Sequence, residues 1–252
     1  MPKVISQGIG VHYETEGTGA PLVLQHGVSN SLEFWRDFGY AQRLRKSYRL
    51  ILIDARGHGM SDVPSREEDC STELMASDVL AVLDALGIER AHYWGYSMGG
   101  WIGFHLGGMA PHRFFSMVLG GAHPYPEDLS DFRELLRESG PAAIVPFWDA
   151  IGAPLSETSR ERLLHHPMLP LLAIARHDRP DLSASLVGMK MPLLFYAGDE
   201  DPWHEGARAC ARSLPNAQWF SLPGLDHLAA FSRSDFVLPP VQAFLQSVMI
   251  PG

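Results

Sequence analysis

The chain has 252 residues, 46% of them apolar and 19% charged, with a formal net charge of −9. That acidity excludes the basic footprint of a nucleic-acid binder and leaves no cationic patch for an anionic membrane, and no apolar run approaches membrane-spanning length. The N-terminus, MPKVISQGIGVHYETEG, lacks a signal peptide's apolar segment, and the only cysteines, Cys70 and Cys210, have neither metal nor redox spacing, so a cytoplasmic chain with reduced thiols is expected.

The length suits one large α/β domain, or one carrying an insertion. Two short strands open the chain, Val4–Ser6 and Val11–Thr15, parted by the Gly8-Ile9-Gly10 turn. Pro21–Gln25 is an apolar run bounded by Pro and Gly, as a central parallel strand requires. It leads into His26-Gly27-Val28 and then a helix over Leu32–Lys46. Tyr48–Asp54 is the next strand and ends in Asp54-Ala-Arg-Gly-His-Gly-Met-Ser61; Asp62–Cys70 reads as a loop. Thr72–Leu86 forms a helix, with Ser71 or Thr72 as its N-cap and Gly87 as its left-handed stop. A strand ending in His92-Tyr93-Trp94 follows, then a helix from Ser97, then a strand at Met117–Leu119.

After Gly120-Gly121 the texture changes. The β-branched runs disappear, prolines accumulate, and short amphipathic pieces replace them at Asp128–Glu138, Ala142–Ile151, Glu157–His165 and Leu169–His177. Strand and helix alternation resumes with Pro192–Ala197, Glu205–Leu214, Gln218–Leu222 and Asp235–Val248. The expected architecture is α/β: a mostly parallel, doubly wound sheet with helices on both faces. Residues 1–121 and 189–252 form its core, and 122–188 form a helical lid. Functional loops belong at the carboxyl ends of the strands.

Chemistry concentrates at one such end. Gly95-Tyr96-Ser97-Met98-Gly99 fits G-x-S-x-G, the nucleophile elbow, in which a serine sits on a tight strand-to-helix turn. Glycine two residues to either side removes the collision that side chains would cause there. A chain of this composition would contain the pattern by chance about one time in five, so context has to decide. A serine hydroxyl needs a base, and the base needs a group to orient it. Asp201 lies just past the strand Pro192–Ala197, and His227 lies just past Gln218–Leu222, so serine, acid and histidine occur in the order that the elbow demands. Of the neighbouring acids, Asp226 adjoins the histidine and would point away from its ring as a loop cap. Asp201 is preferred to Asp199 because it sits deeper in the loop and Pro202 fixes its direction. For the oxyanion, the Met98 amide at a helix start is one donor, and Val28, after His26-Gly27, is placed to give the other. Trp101, Trp148 and Trp203 are candidate pocket residues, although such side chains more often simply pack the core. The twelve histidines form no H-x-x-x-H or H-E-x-x-H pair, so no metal and no cofactor is expected.

These residues resemble the α/β-hydrolase superfamily, close to its short-chain esterase and lactonase branch. The resemblance is carried by His26-Gly27, Asp54–Ser61, Gly95–Gly100, Gly198–Asp201 and Gly224–His227, and covers nearly the whole core. It implies Ser97 as nucleophile, Asp201 as acid, His227 as base, Val28 and Met98 as oxyanion donors, a lid over the site, and a structural role for Asp54–Ser61. Serine in place of aspartate at the elbow departs from epoxide hydrolases and haloalkane dehalogenases. His-Gly-Val departs from the His-Gly-Gly-Gly of hormone-sensitive-lipase-like enzymes, and Leu228 replaces the tryptophan usual after the histidine in hydrolases of aromatic ring-fission products. The expected activity is cleavage of a small, largely apolar carboxylic ester through an acyl-enzyme. A lactonase, or enol-lactone hydrolase, would use the same residues. A signalling protein that binds a small molecule with slow or no turnover is the reading from another class. No feature of the sequence sets an oligomeric state.

Overall fold

Apolar runs of four to six residues, punctuated by Pro and Gly, supply the strands of a single eight-stranded sheet in the computed structural model, which describes residues 2–153 and 155–248. Residues 1 and 249–252 of the expected core and 154 of the expected lid lie outside the described residues. In chain order the elements are β1 (Lys3–Ser6), β2 (Ile9–Glu16), β3 (Ala20–Gln25), α1 (Glu33–Asp37), α2 (Tyr40–Leu44), β4 (Tyr48–Ile53), α3 (Thr72–Ala85), β5 (Ala91–Tyr96), α4 (Met98–Met109) and β6 (Phe114–Gly120). There follow α5 (Ser130–Ser139), α6 (Val145–Ala150), α7 (Glu157–Leu164), α8 (Met168–Ala175), β7 (Leu193–Gly198), α9 (His204–Ser213), β8 (Ala217–Leu222), α10 (His227–Ser232) and α11 (Ser234–Ser247).

The strands lie in the order β1-β2-β4-β3-β5-β6-β7-β8. Pairings from β4 to β8 are parallel, whereas β2 runs antiparallel to both β1 and β4. Side chains alternate between faces, so each central strand feeds two cores. Leu22, Leu24, Leu50, Leu52 and Trp94 pack on one face. Val23, Ile51, Ile53 and Tyr93 pack on the other, against Val79, Val82, Ile102 and Phe104 of α3 and α4. Ser71 caps α3 by accepting from the Leu74 amide.

One local expectation is corrected. The single helix over Leu32–Lys46 is two short helices, because Gly39 adopts φ 78° between them and reverses the chain out of the helical region. His227 begins α10, and Asp226, expected to cap this turn, is its N-cap: its carboxylate accepts from the Ala229 amide at 2.7 Å.

The Asp54–Ser61 turn is a buried polar knot. Asp54 accepts from the Leu32 amide (2.8 Å), the Met60 amide (2.9 Å) and His12 Nδ1 (2.8 Å). Burial works to raise this carboxyl, but those bonds hold it below its ordinary value. Arg56 grips Asp78 of α3 through two bonds, of 2.7 and 2.5 Å, with both side chains buried. Between β6 and β7 lie α5 to α8 and short 3₁₀ turns. Near the two ends of that segment Glu127 and Arg179 exchange backbone hydrogen bonds of 3.2 and 2.8 Å as an antiparallel bridge.

Candidate active site

Every residue of β5 is buried, and Ser97 follows it directly with φ 56° and ψ −116°, a strained conformation for a residue with a side chain. Two backbone bonds hold the turn: the Ser97 amide donates to the Gly120 carbonyl (2.8 Å), and the Ser97 carbonyl accepts from the Trp101 amide (3.1 Å) as the first bond of α4. A Cβ on Gly95 would strike the backbone of Gly99, and one on Gly99 would strike the Gln25 carbonyl, so neither position admits a side chain. Met98 is the first residue of α4, where helix amides have no partner within the helix.

The loop after β3 approaches the same turn. A Cβ on Gly27 would lie 3.3 Å from that of Ser97, and Val28, Ser29 and Asn30 line the cavity that Ser97 faces. His26 anchors this loop as a neutral ring, with Nδ1 donating to the Gly27 carbonyl (2.7 Å) and Nε2 accepting from the Ala55 amide (3.1 Å). Burial pushes its pKa down despite the nearby Asp54 carboxylate.

Asp201 lies in the turn after β7 with its side chain fully buried. One carboxylate oxygen accepts from His227 Nδ1 at 2.7 Å and the other from the Trp203 amide at 2.9 Å. That bond places the His227 proton on Nδ1 and leaves Nε2 as the basic nitrogen. The His227 ring stacks on Tyr96 (centroids 5.1 Å apart) and meets the edge of Trp203 (4.3 Å), while the Tyr96 hydroxyl donates to the His227 carbonyl at 2.6 Å. Asp199 is occupied elsewhere, accepting from the Gly224 amide at 2.7 Å.

Ser97 and His227 open onto one cavity of about 420 Å³. Its walls are largely apolar: Leu129, Phe132, Leu135, Ile144, Phe147, Trp148, Leu228 and Phe231.

Comparison with known proteins accords with this geometry. The sequence model for the alpha/beta hydrolase fold matches residues 20–149. The chain belongs to the α/β-hydrolase family. It is similar to the putative carbamate hydrolase RutD of Pseudomonas savastanoi pv. phaseolicola, 32% identical over 219 residues, which are 78% of this chain and 82% of that one. It is 31% identical over 172 residues to 3-oxoadipate enol-lactonase 1 of Acinetobacter baylyi, or 63% and 64% of the two chains. Among solved structures, the enol-lactonase from Burkholderia xenovorans LB400 superposes with a TM-score of 0.85 at 24% identity, over 98% of this chain and all of that one.

In this α/β hydrolase Trp148 and Trp203 line the cavity, but Trp101 does not. Trp101 stands one helical turn after Ser97 on α4, and its ring faces a second cavity of about 250 Å³, shared with Thr72, His105 and His177. Met98 also lines this second cavity. Conversely, Tyr96, Glu127 and Arg179 line the Ser97 cavity although the sequence did not mark them. Tyr96 was discoverable as the residue before the elbow serine, whereas Glu127 and Arg179 carry no local signal. No group of three or more His, Cys, Asp or Glu among the described residues is placed to hold a metal ion. Both cysteines are buried, and burial raises their thiols to about 11 for Cys70 and about 12 for Cys210. Among the described residues no helix is long and apolar enough to cross a membrane.

Proposed function

We propose that this hydrolase cleaves a small, neutral, largely apolar carboxylic ester through an acyl-enzyme. The observation that carries the reading is the pair His227–Asp201, bonded at 2.7 Å, opening with Ser97 onto one apolar cavity. His227 Nε2 takes the Ser97 proton as the hydroxyl attacks the ester carbonyl, and Asp201 stabilises the resulting imidazolium and keeps its ring oriented. The amides of Met98 and Val28 receive the oxyanion, each such donor lowering the barrier by about 3 kcal/mol. His227 then protonates the departing alcohol, and a water activated by the same nitrogen releases the acid.

The cavity's charge supports a neutral substrate. Glu127, Asp128 and Asp131 line it, and Arg179, the one lining residue with a fixed positive charge among those described, is already paired with Glu127 at 2.8 Å. An additional carboxylate on the substrate would meet repulsion there. Its volume suits a ligand at the small end of the usual pocket range. Lactone hydrolysis is the second reading, favoured by the 31% identity to an enol-lactonase.

The test is a panel of esters of graded acyl length, beside lactones and a carbamate, run on wild type and Ser97→Ala. Ser97→Ala should lose ester turnover and labelling by a fluorophosphonate while keeping its fold by circular dichroism. Stoichiometric labelling of that variant would refute the nucleophile, and a preference for lactones across the panel would select the second reading.

A further inference from the structure

We infer that Glu127 and Arg179 are a positioning pair for the base: they hold the indole of Trp203, and through it the ring of His227. The inference rests on the proposed role of His227. Trp203 touches both downstream members of the proposed triad. Its amide donates to Asp201 at 2.9 Å, and its ring meets the His227 ring at 4.3 Å with an interplanar angle of 87°. The other end of the indole is held from the lid segment. Trp203 Nε1 donates to one carboxylate oxygen of Glu127, and the other accepts from Arg179 at 2.8 Å. The guanidinium carbon of Arg179 lies 5.1 Å from the Trp203 ring centroid and 4.8 Å from that of Trp101, on the helix that begins at the nucleophile.

The arrangement has a mechanical reading. The Asp201–His227 bond fixes Nδ1 but leaves the imidazole free to tilt about it, and tilt moves Nε2, the atom that must meet the serine hydroxyl. Tyr96 closes one side of the ring by stacking, and Trp203 closes another with its edge. An indole held only at its backbone can rotate about two side-chain torsions; the bond to Glu127 removes that freedom. Arg179 in turn fixes Glu127, since a carboxylate half-buried in a cavity wall needs a counter-charge. The backbone bridge between residues 127 and 179 places both side chains from adjacent positions, so the two ends of the lid segment close on the base together.

A mere tether of the lid would use the same contacts, and the two roles separate by kinetics. Glu127→Gln keeps an oxygen for the indole N–H; Glu127→Ala and Trp203→Phe each remove the bond. With p-nitrophenyl acetate, Glu127→Ala should lower kcat and the fluorophosphonate labelling rate on the order of tenfold to a hundredfold without a matching rise in KM. Glu127→Gln, which keeps the indole bond but removes the counter-charge of Arg179, should recover part of that loss. Trp203→Phe should show a similar fall, and the double variant Glu127→Ala, Trp203→Phe should be no worse than the poorer single. If Glu127→Ala does not fold, Trp203→Phe impaired in kcat beside a Glu127→Gln that lies between it and wild type supports the pair equally. Unchanged kcat in Glu127→Ala, additive losses, or a fall confined to KM and Tm would overturn the inference. Ser97→Ala runs alongside: if it is inactive, the triad survives any such failure, and if it is active the triad itself falls.

Discussion

Asp201 has both carboxylate oxygens committed, one to His227 and one to the Trp203 amide, whereas Asp199 braces only the Gly224 amide. An asparagine at 201 presents an N–H to the imidazole or loses the backbone bond, and either favours the tautomer with Nε2 protonated. Asp201→Asn should therefore lower kcat by about 10⁴, as in other triads with the wrong tautomer. Asp199→Asn should cost far less, since it weakens a turn and touches no ring. Steady-state kinetics on the two variants decide the matter, and the reverse ranking would move the acid to position 199. The order of serine, acid and histidine was readable because each stands at or just past the end of its own strand, where a parallel sheet collects its loops. Trp101 was offered as a pocket residue and lines another cavity, because the sequence shows an aromatic one turn after Ser97 but not which way α4 turns that face. Glu127 and Arg179 were illegible for a different reason. They meet through a bridge between residues 52 apart, in a stretch with neither strand nor helix periodicity.

At the level of elements, the segment between β6 and β7 contributes much of the cavity's apolar wall together with Glu127, Asp128, Asp131 and Arg179, and none of the proposed triad. Phe132 and Leu135 of α5 and Phe147 of α6 line the cavity, and none of them is a hydrogen-bond partner of the proposed triad residues. Truncating such walls removes binding that the ground state and transition state share, which raises KM and leaves kcat alone. Phe132→Ala and Leu135→Ala should raise KM for long-acyl esters and alter the ranking of acyl lengths, while acetate ester turnover stays near wild type. An equal loss on every ester would place a reacting or orienting group on α5. Glu127 and Phe132, two residues of one segment five positions apart, are expected to move different kinetic constants, because Phe132 lines the apolar wall and Glu127 bonds the indole that meets His227. Element boundaries followed the sequence where a cap or an alternation set them, as at Ser71 for α3. They departed where a single backbone angle intervened, as at Gly39, because apolar periodicity ran on through a residue whose φ it does not encode.

Across the whole molecule, the loops after β3 and β4 and the segment before α8 bring three histidines together in the interior. His26 and His58 lie 5.4 Å apart between ring centroids, and His58 and His166 lie 4.5 Å apart. Burial lowers all three pKa values: His166 falls to about 4, His58 goes well below its ordinary value with its histidine neighbours adding to the shift, and His26 is lowered against the pull of Asp54. Each ring donates from Nδ1 to a backbone carbonyl, of Gly27, Arg56 and Pro167 respectively, and His58 Nε2 and His166 Nε2 are buried without a partner. The consequence for stability has a definite sign. Above about pH 7.5 the rings are neutral in both folded and unfolded chains and contribute no pH dependence. Below it the unfolded chain binds protons that the folded chain refuses, so stability falls as pH falls. That loss continues down to the folded value, about 4 for His166. One fully withheld proton is worth about 1.4 kcal/mol per pH unit. Asp54 adds nothing in this window, since its lowered carboxyl loses its contribution only at more acid pH. Urea unfolding at pH 8, 6.5 and 5 should therefore show a small loss between the first two, as the unfolded rings become half protonated, and a steep decline to the third. His166→Gln removes one of the withheld protons, so its decline should be shallower than wild type by up to that slope, whatever the substitution does to stability at pH 8. A wild-type stability that stays flat from pH 6.5 to 5 would show that these rings take up protons in the folded state, with the interior opening to let them.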